Sequence, residues 1–292
     1  MRDTIRCIKK YIDVVDTESF AMHWKKLSHG LILGIQEGYQ KGDYEPNIVE
    51  LIESIVNKIG SFEAKDREIK ISTNSIFVHG NKSQVEFEYY GRKTQRELGD
   101  IIFILSVVYN GIKYFEKMTI TQVKKSNKAN WKLSNNSAKE QLYLLSKFPK
   151  FSGTSNSLIP SKEYNLPNYS RCLGTHGLLY YPGDFALVSS NMLDIILRNK
   201  KQLKLEDLLL YGGRGYYLNL YYRCSEFYSL MCMCPVLGNS CIAYNAYEFS
   251  DKYLRGYIGE MVYAEDFHYN RHAFQFLQDL FSVMRKKPKK RI

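Results

Sequence analysis

The sequence predicts an α/β fold in which a central mixed β-sheet is flanked by helices. Two observations lead to this prediction. A segment with helical periodicity, "NIVELIESIVNKIG", precedes several runs that are typical of strands, and a second helical segment, "NNSAKEQLYLLSKF", follows them. At 292 residues, with 45% hydrophobic and 24% charged residues, the chain is long enough to bury a substantial core.

The first strongly periodic helix is predicted over residues 47–60. Its apolar side chains recur every three or four residues, Asn47 is placed to cap the amino end, and Gly60 is placed to end the helix. Residues 1–44 contain further helical patterns and are predicted to form an N-terminal helical segment. A charged loop is expected after the first helix, followed by an alternating strand over residues 84–91.

The most informative stretch is "ELGDIIFILSVVYNGIKYFEKMTITQVKKS". The run that begins at Asp100 is apolar on both faces, which is typical of a covered central strand, and the Asn-Gly pair predicts a hairpin turn. A two-residue loop places Asp100 opposite Thr121. A three-residue loop with a bulge places Asp100 opposite Gln122 and puts Lys124 on the same face. The sequence alone leaves both registers open.

Asp100, Gln122 and Lys124 indicate chemistry at a phosphate group if they share one face. Mg²⁺ prefers oxygen ligands and keeps several waters, so a carboxylate and an amide oxygen can hold it together with a substrate phosphate. The Lys124 ammonium would then stabilise developing negative charge and orient or deprotonate the attacking water. The simpler alternatives are that Asp100 only begins a strand and that Gln122 and Lys124 are polar residues of an edge strand.

The remainder of the chain is predicted to complete the sheet and to add an extension. "GLLYYPGDFALVSS" predicts two short strands broken at a Pro-Gly turn, and Asp184 in it is the rival acid if Asp100 lies far from Gln122. "NMLDIILRNKK" and "HAFQFLQDLFSVMRKK" predict helices. The predicted organisation is therefore a core over residues 45–200 and a mainly helical C-terminal extension with a basic tail over residues 201–292.

Positive charge is concentrated in two segments of a chain whose net charge is +11. Nine lysines and two glutamates lie between Lys113 and Lys150, and the tail from Arg285 to Ile292 contains six basic residues and no acid. A basic stripe beside a candidate site favours a polyanionic partner such as nucleic acid. A lysine-rich face that is merely solvated is the alternative.

Two further motifs have ordinary structural explanations. A zinc site could be built from Cys224, Cys232, Cys234, Cys241, His268 and His272. The paired CxxC spacing is missing, however, and cysteines in an apolar run are commonly small buried residues. "YGGRGYY" could contact phosphates or bases, but a glycine turn between core elements is the alternative.

The chain is expected to be intracellular and cytoplasmic, with reduced cysteines. No apolar run reaches the length of a membrane span, and charges interrupt the apolar positions of the amino-terminal segment, where a secretory signal needs a continuous apolar block. Six unevenly spaced cysteines without such a signal do not form a disulfide framework. No membrane contact is therefore predicted.

The order of elements and residues resembles a known family. A helix bearing acids, a strand with Asp100, a strand with Gln122-Val-Lys124 and a second helix resemble the core of the PD-(D/E)XK restriction-endonuclease-like nucleases. The glutamine form is similar to the QxK variant of Mrr-like restriction enzymes and related phage-defence endonucleases. The resemblance covers residues 45–190.

The resemblance implies a restriction-endonuclease-like core and a Mg²⁺- or Mn²⁺-dependent DNA endonuclease of restriction or phage-defence type. It implies Asp100 and Gln122 as metal ligands and Lys124 as the catalytic lysine. Glu53 from the first helix is implied as an additional ligand, in preference to Glu50, which stands in a capping position. Double-stranded DNA is the implied substrate, a homodimer would supply two sites, and partner proteins of a defence system are compatible with this class.

Two positions depart from the family pattern. Gly99 precedes Asp100 in place of proline, which matters little because that proline is often absent in the family, and Gln122 replaces an acid, which leaves a weak or inactive enzyme open. A catalytically inactive nucleic-acid-binding protein on the same core is therefore retained as an alternative, as is a scaffold protein whose basic patches engage an acidic partner. Glu97 is expected either to form a surface salt bridge with a lysine or to support or join the metal ligands.

Overall fold

The computed structural model describes residues 2–166, 168–198, 200, 202–212, 236, 239–240, 242–266 and 268–286. Within these ranges the helices are α1 (Arg2–Val15), α2 (Glu18–Gln40), α3 (Glu45–Ile59), α4 (Asn136–Lys147), α5 (Ser190–Leu197), α6 (Leu205–Gly212), α7 (Ala246–Leu254) and α8 (Arg271–Lys286). The strands are β1 (Phe62–Glu63), β2 (Ile69–Phe77), β3 (Gln84–Tyr89), β4 (Arg92–Glu97), β5 (Ile101–Tyr109), β6 (Ile112–Ser126), β7 (Asn130–Lys132), β8 (Phe151–Gly153), β9 (Glu163–Tyr164), β10 (Gly174–Tyr180), β11 (Asp184–Ser189), β12 (Gln202–Lys204), β13 (Ile242–Ala243), β14 (Glu260–Ala264) and β15 (His268–Tyr269). The predicted α/β class, with a central mixed sheet, flanking helices and a helical C-terminus, is confirmed.

A mixed sheet with the strand order β1-β2-β5-β6-β10-β11-β13 forms the centre of the fold. β2, β5 and β6 form an antiparallel meander, whereas β10 runs parallel to β6 and β11 runs antiparallel to β10. β6 is long enough to pair with two strands in succession on the side that faces away from β5. Its first half pairs with β14 and its second half with β10. β6 therefore pairs with β5 as far as Thr121, whereas residues 122–126 pair with β10 alone.

Both faces of this sheet are covered, because successive side chains of a strand point to opposite faces. Helices α1, α2, α3 and α7 pack on one face, in a core that includes Phe103 of β5 and Phe185 of β11. Helices α4 and α8 pack on the other face, together with a small four-stranded sheet of order β4-β3-β8-β9. Double coverage explains why the run after Asp100 is apolar without alternation.

The first strand of the central meander differs from the prediction. The strand expected over residues 84–91 is present as β3, but it belongs to the small sheet, and β2 lies where a charged loop was expected. The alternation of apolar residues that would identify β2 is weak because hydroxyl side chains occupy some of its inward positions. Thr73 Oγ1 donates to Val56 O of α3 at 3.3 Å, and Ser75 Oγ donates to Glu53 O at 3.2 Å.

Helix α3 begins three residues earlier than predicted. Its first residue is Glu45, and Tyr44, rather than Asn47, occupies the capping position. Pro46 stands in the first turn, where the missing amide proton costs nothing and the fixed φ angle suits a helix. Gly60 ends the helix as predicted. The earlier start places the Glu45 carboxylate at the amino end of α3.

Residues beyond 201 contain strands as well as the predicted terminal helix. β14 pairs with β6, and β13 pairs with β11, so both belong to the central sheet. The Tyr253 hydroxyl of α7 donates to Ile104 O of β5 at 2.8 Å. The described residues of the predicted C-terminal extension therefore share a core with the preceding part of the chain. No helix in the described part of the chain combines the length and apolar character needed to cross a bilayer.

Replacing Phe249 by alanine is expected to lower the free energy of unfolding by about 3–5 kcal/mol. The ring is fully buried on α7, 5.3 Å from Phe103, 4.8 Å from Phe185 and 5.3 Å from Tyr253 between centroids. Urea unfolding followed by circular dichroism measures the change. The control Met22→Ala, at a side chain that is 61% exposed, should cost less than about 1 kcal/mol. Equal effects of the two substitutions would contradict the packing of α7 on the sheet.

Candidate functional site

A bulge in the β5–β6 hairpin determines which residue lies beside Asp100. At the turn Tyr109 pairs with Ile112, so the loop has two residues, as in the first predicted register. Tyr114 is then left without a partner in the ladder, and the register shifts by one residue. Beyond the bulge the pairing follows the second predicted register, and Asp100 lies beside Gln122. Each predicted register is thus correct for one part of the hairpin.

Asp100 is a buried carboxylate with three hydrogen-bond donors. Its side chain is 1% exposed. Oδ2 accepts from Gln122 Nε2 and from the Val123 amide, the latter at 2.7 Å, and Oδ1 accepts from His79 Nδ1 at 2.5 Å. A buried carboxylate without partners would be strongly destabilising, so these donors are the condition for placing a charge here.

Both the nitrogen and the oxygen of the Gln122 side-chain amide form hydrogen bonds within the protein. Nε2 donates to Asp100, and Oε1 accepts from Nε2 of Gln141 on α4. The carboxylate fixes this orientation, because the reversed amide would set its oxygen against a carboxylate oxygen. Gln141 also donates to Glu97 O at 3.2 Å. Sequence reasoning missed Gln141, since nothing but its place in the following helix distinguishes it.

His79, Glu97 and Asp100 bring three potential ligand atoms together. His79 Nδ1 lies 3.6 Å from Glu97 Oε2, and one ligand atom from each residue lies within 4.8 Å of the other two. No other set of three His, Cys, Asp or Glu side chains among the described residues has this spacing. Imidazole nitrogen and carboxylate oxygen both bind divalent cations, so the residues fit such an ion once it displaces the proton that His79 Nδ1 donates to Asp100. His79 was not predicted, because a single histidine after a strand carries no motif.

Lys124 lies near the carboxyl end of β6, two residues beyond Gln122. Its Nζ is 3.5 Å from Glu45 Oε1, and the other Glu45 oxygen accepts from the Lys125 amide at 2.6 Å. Glu45 therefore links the amino end of α3 to the end of β6. It was missed because the helix was predicted to begin after it.

Negative charge is concentrated around Asp100. Burial raises the pKa of Glu97, and the nearby Asp100 charge raises it further, against the opposing effects of His79 and Lys124. Burial likewise raises the pKa of Glu45, opposed by Lys124 and reinforced by Asp100. The hydrogen bond to Asp100 raises the pKa of His79, against its partial burial and with support from the neighbouring carboxylates. Three carboxylates thus face one histidine and one lysine.

Two predicted acids lie apart from this cluster. Glu53, the acid implied as an additional ligand, accepts from the Phe77 amide at 3.1 Å. Burial raises its pKa, and its charged neighbours are Glu50 and Lys82 rather than the residues around Asp100. Asp184 accepts from the Phe185 amide of β11 and from the Ala246 amide at the start of α7. Of the predicted residues, the structure brings Asp100 and Gln122 into contact, with Lys124 nearby, whereas the Glu53 carboxylate of α3 bonds the end of β2.

Gln122 and Lys124 lie beyond the last β5–β6 pair, Ile101 with Thr121, so the pairing leaves the edge-strand alternative for these two residues in place. Both residues pair with β10, whose His176 lies directly beside Gln122. His176 is fully buried within the strand, and its Nδ1 lies 3.0 Å from Ser190 Oγ. Burial, with a smaller contribution from the Lys124 charge, lowers the pKa of His176 to about 3. This imidazole is therefore neutral at physiological pH.

The predicted lysine stripe does not form one continuous surface. Lys117 is buried and donates to Gly256 O at 2.7 Å. Salt bridges to Glu or Asp engage Lys113, Lys147 and Lys150. The exposed members that form no ion pair with a described residue are Lys128, Lys132 and Lys139. These three follow Lys124 along the chain, in β7, the turn before it and the first turn of α4.

A polar cleft of about 620 Å³ opens on the small sheet beside the cluster. Asn81, Gln84 and Gln95 line it together with the loop around residues 152–156. Gln84 pairs with Glu97 across β3 and β4, so the cleft adjoins the candidate site along these strands. Its lining consists mostly of uncharged amides and hydroxyls.

Other sequence hypotheses concern residues outside the described ranges. These are the cysteines of the zinc hypothesis (Cys224, Cys232, Cys234 and Cys241), most of "YGGRGYY" and the basic residues after 286. They stay predictions.

The buried His176 predicts a loss of stability in acid. Its pKa is below that of an exposed histidine, so the stabilisation is present above pH of about 6.5 and is lost as the pH falls toward 3. The free energy of unfolding should fall by up to about 1.4 kcal/mol per pH unit from this residue. In His176→Asn the slope measured by urea unfolding between pH 7 and 5 should be shallower. His29→Asn, at an exposed histidine, should keep the wild-type slope; equal slopes in both variants would contradict the prediction.

Comparison with known proteins gives no match for this chain. No family model, no curated protein and no solved structure is similar to it at a significant level. The nuclease resemblance therefore depends on the residues and elements of this chain alone.

Proposed function

We propose that the chain is a metal-dependent nuclease that hydrolyses DNA phosphodiester bonds on a restriction-endonuclease-like core. The observation that carries the proposal is the contact of Asp100 with Gln122, with Lys124 two residues further along β6. An acid, an amide and an ammonium group at one end of two neighbouring strands suit a site for a cation and a phosphate.

The order of elements supports the same proposal. Helix α3, the meander β2-β5-β6 and helix α4 follow one another as helix, three strands and helix, with β3 and β4 inserted between β2 and β5. The candidate residues lie on the second and third strands of this meander. This is the arrangement that the PD-(D/E)XK resemblance implies.

The chain's own residues have distinct roles in this proposal. A divalent ion such as Mg²⁺ or Mn²⁺ at Asp100 would supply an activated water and neutralise phosphate charge. Lys124 donates to a phosphate oxygen and stabilises the negative charge that develops there. Glu45 holds the Lys124 ammonium at the end of β6. Gln122 and Gln141 keep the Asp100 carboxylate in one orientation.

The exposed lysines and the polar cleft near the candidate site favour nucleic acid as the substrate class. Lys128, Lys132 and Lys139 are exposed beyond Lys124 and suit contacts with a phosphate backbone. The polar cleft beside Glu97 presents amides and hydroxyls, the groups that read base edges. Cutting both strands of a duplex in one event needs two sites, so a homodimer is expected.

A nucleic-acid-binding protein without catalysis is the second candidate function. The engaged amide of Gln122 favours it, because this side chain offers no free oxygen to a metal while both contacts persist. Such a protein would keep the lysine surface and bind DNA without cutting it.

Plasmid cleavage in Mg²⁺ or Mn²⁺ tests the proposal. Asp100→Asn and Lys124→Ala should each lower the cleavage rate by at least about 100-fold, because each removes a charge that acts on the phosphate. Lys58→Ala removes a positive charge from the exposed surface of α3 and should leave the rate unchanged.

Two results would replace the nuclease with one of the alternatives. DNA binding without cleavage by the wild-type chain, in either metal, would identify the non-catalytic protein. The absence of salt-sensitive affinity for DNA or RNA in a gel-shift titration would favour a scaffold with an acidic protein partner.

A further inference from the structure

The candidate site contains an imidazole, whereas the resemblance implies oxygen ligands only. His79 Nδ1 lies 2.5 Å from Asp100 Oδ1 and 3.6 Å from Glu97 Oε2. His79 follows β2 and Glu97 ends β4, so the two residues reach Asp100 from different strands. The side chain of His79 is 31% exposed and that of Glu97 is 25% exposed, so solvent and ions can reach both.

The two other predicted ligands are engaged elsewhere. The Gln122 amide lies between Asp100 and Gln141, and its oxygen could bind a cation only by losing the Gln141 hydrogen bond. Glu53 bonds the Phe77 amide. Glu53 also belongs to no set of three ligand atoms within 4.8 Å of one another among the described residues.

We infer that the metal site consists of His79, Glu97 and Asp100, and that it selects a first-row transition-metal ion such as Mn²⁺ over Mg²⁺. This inference rests on the proposed function in one respect: the cation bound here would be the one that takes part in the proposed hydrolysis. Gln122 and Gln141 are positioning residues that act through Asp100 and through the Glu97 backbone.

Ligand chemistry accounts for the selectivity. Mg²⁺ takes oxygen ligands in a near-ideal octahedron and keeps most of its waters. Imidazole nitrogen is a softer donor, which favours transition-metal ions. Two carboxylates with one imidazole therefore suit Mn²⁺ or a later transition metal better than Mg²⁺.

The clustering of charge supports a cation at this point. Glu45, Glu97 and Asp100 lie close enough to influence one another electrostatically, and Lys124 and His79 supply the opposing charge. A divalent ion between Glu97 and Asp100 would relieve the repulsion of these carboxylates. The competing explanation is that His79 only forms an ion pair with Asp100, and the experiment separates the two.

Isothermal titration calorimetry of the metal-stripped full chain with MnCl₂ and with MgCl₂, in the absence of nucleic acid, tests the inference. Mn²⁺ should bind at least about tenfold more tightly than Mg²⁺. His79→Asn and Glu97→Gln should each raise the Mn²⁺ dissociation constant at least about tenfold, since even residues that only support ligands contribute about 10–100-fold. The control Glu53→Gln should leave Mn²⁺ affinity unchanged.

Pulsed electron paramagnetic resonance of bound Mn²⁺ gives a second readout that does not depend on affinity. The wild-type chain should show nitrogen coupling from a directly bound imidazole, and His79→Asn should lose it. Equal affinities for Mg²⁺ and Mn²⁺, or bound Mn²⁺ without nitrogen coupling, would overturn the inference in favour of a simple ion pair.

The failure of this inference and the failure of the proposed function can be distinguished. A chain that binds Mn²⁺ through His79 but cuts no DNA retains the metal site and loses the nuclease proposal. A chain that cuts DNA with unchanged metal dependence in His79→Asn retains the nuclease and loses the metal site described here.

Discussion

The buried carboxylate of Asp100 is the constraint on which the candidate site depends. It is tolerated in the interior because Gln122, Val123 and His79 all donate to it. Those donors come from β6 and from the end of β2, so the carboxylate joins two strands that flank β5. Gln141 extends the same network to α4, and Lys124 extends it through Glu45 to α3. Helices on both faces of the sheet thereby hold one group of polar side chains.

Much of the fold was predictable because its periodic elements are strong. The β5–β6 hairpin, α4, the β10–β11 hairpin and the terminal helix follow from apolar patterns and turn residues that local physics favours. β2 was missed because Thr73 and Ser75, which bond α3, replace apolar residues at inward positions. The start of α3 was misplaced because Pro46 fits the first turn while Asn47 mimics a cap. Both errors concern polar residues whose partners are distant in the sequence.

The site was predictable only in part. Asp100, Gln122 and Lys124 could be singled out as polar residues at the ends of apolar strands. The choice between the two registers could not be predicted, because the bulge at Tyr114 depends on pairing along the whole hairpin. His79, Glu45 and Gln141 carry no local signal, and only tertiary packing brings them to Asp100. Conversely, Glu53 is an acidic residue on the expected helix, but its carboxylate accepts a hydrogen bond from a backbone amide of β2.

The most direct test is anomalous X-ray diffraction from crystals of the chain grown with Mn²⁺. If β5 and β6 present Asp100 and Gln122 on one face beside His79 and Glu97, the strongest anomalous peak will lie within bonding distance of His79 Nδ1 and the Glu97 and Asp100 carboxylates. A structure in which Asp100 and Gln122 point to opposite faces of the sheet, or in which the peak lies at Glu53, would contradict the account.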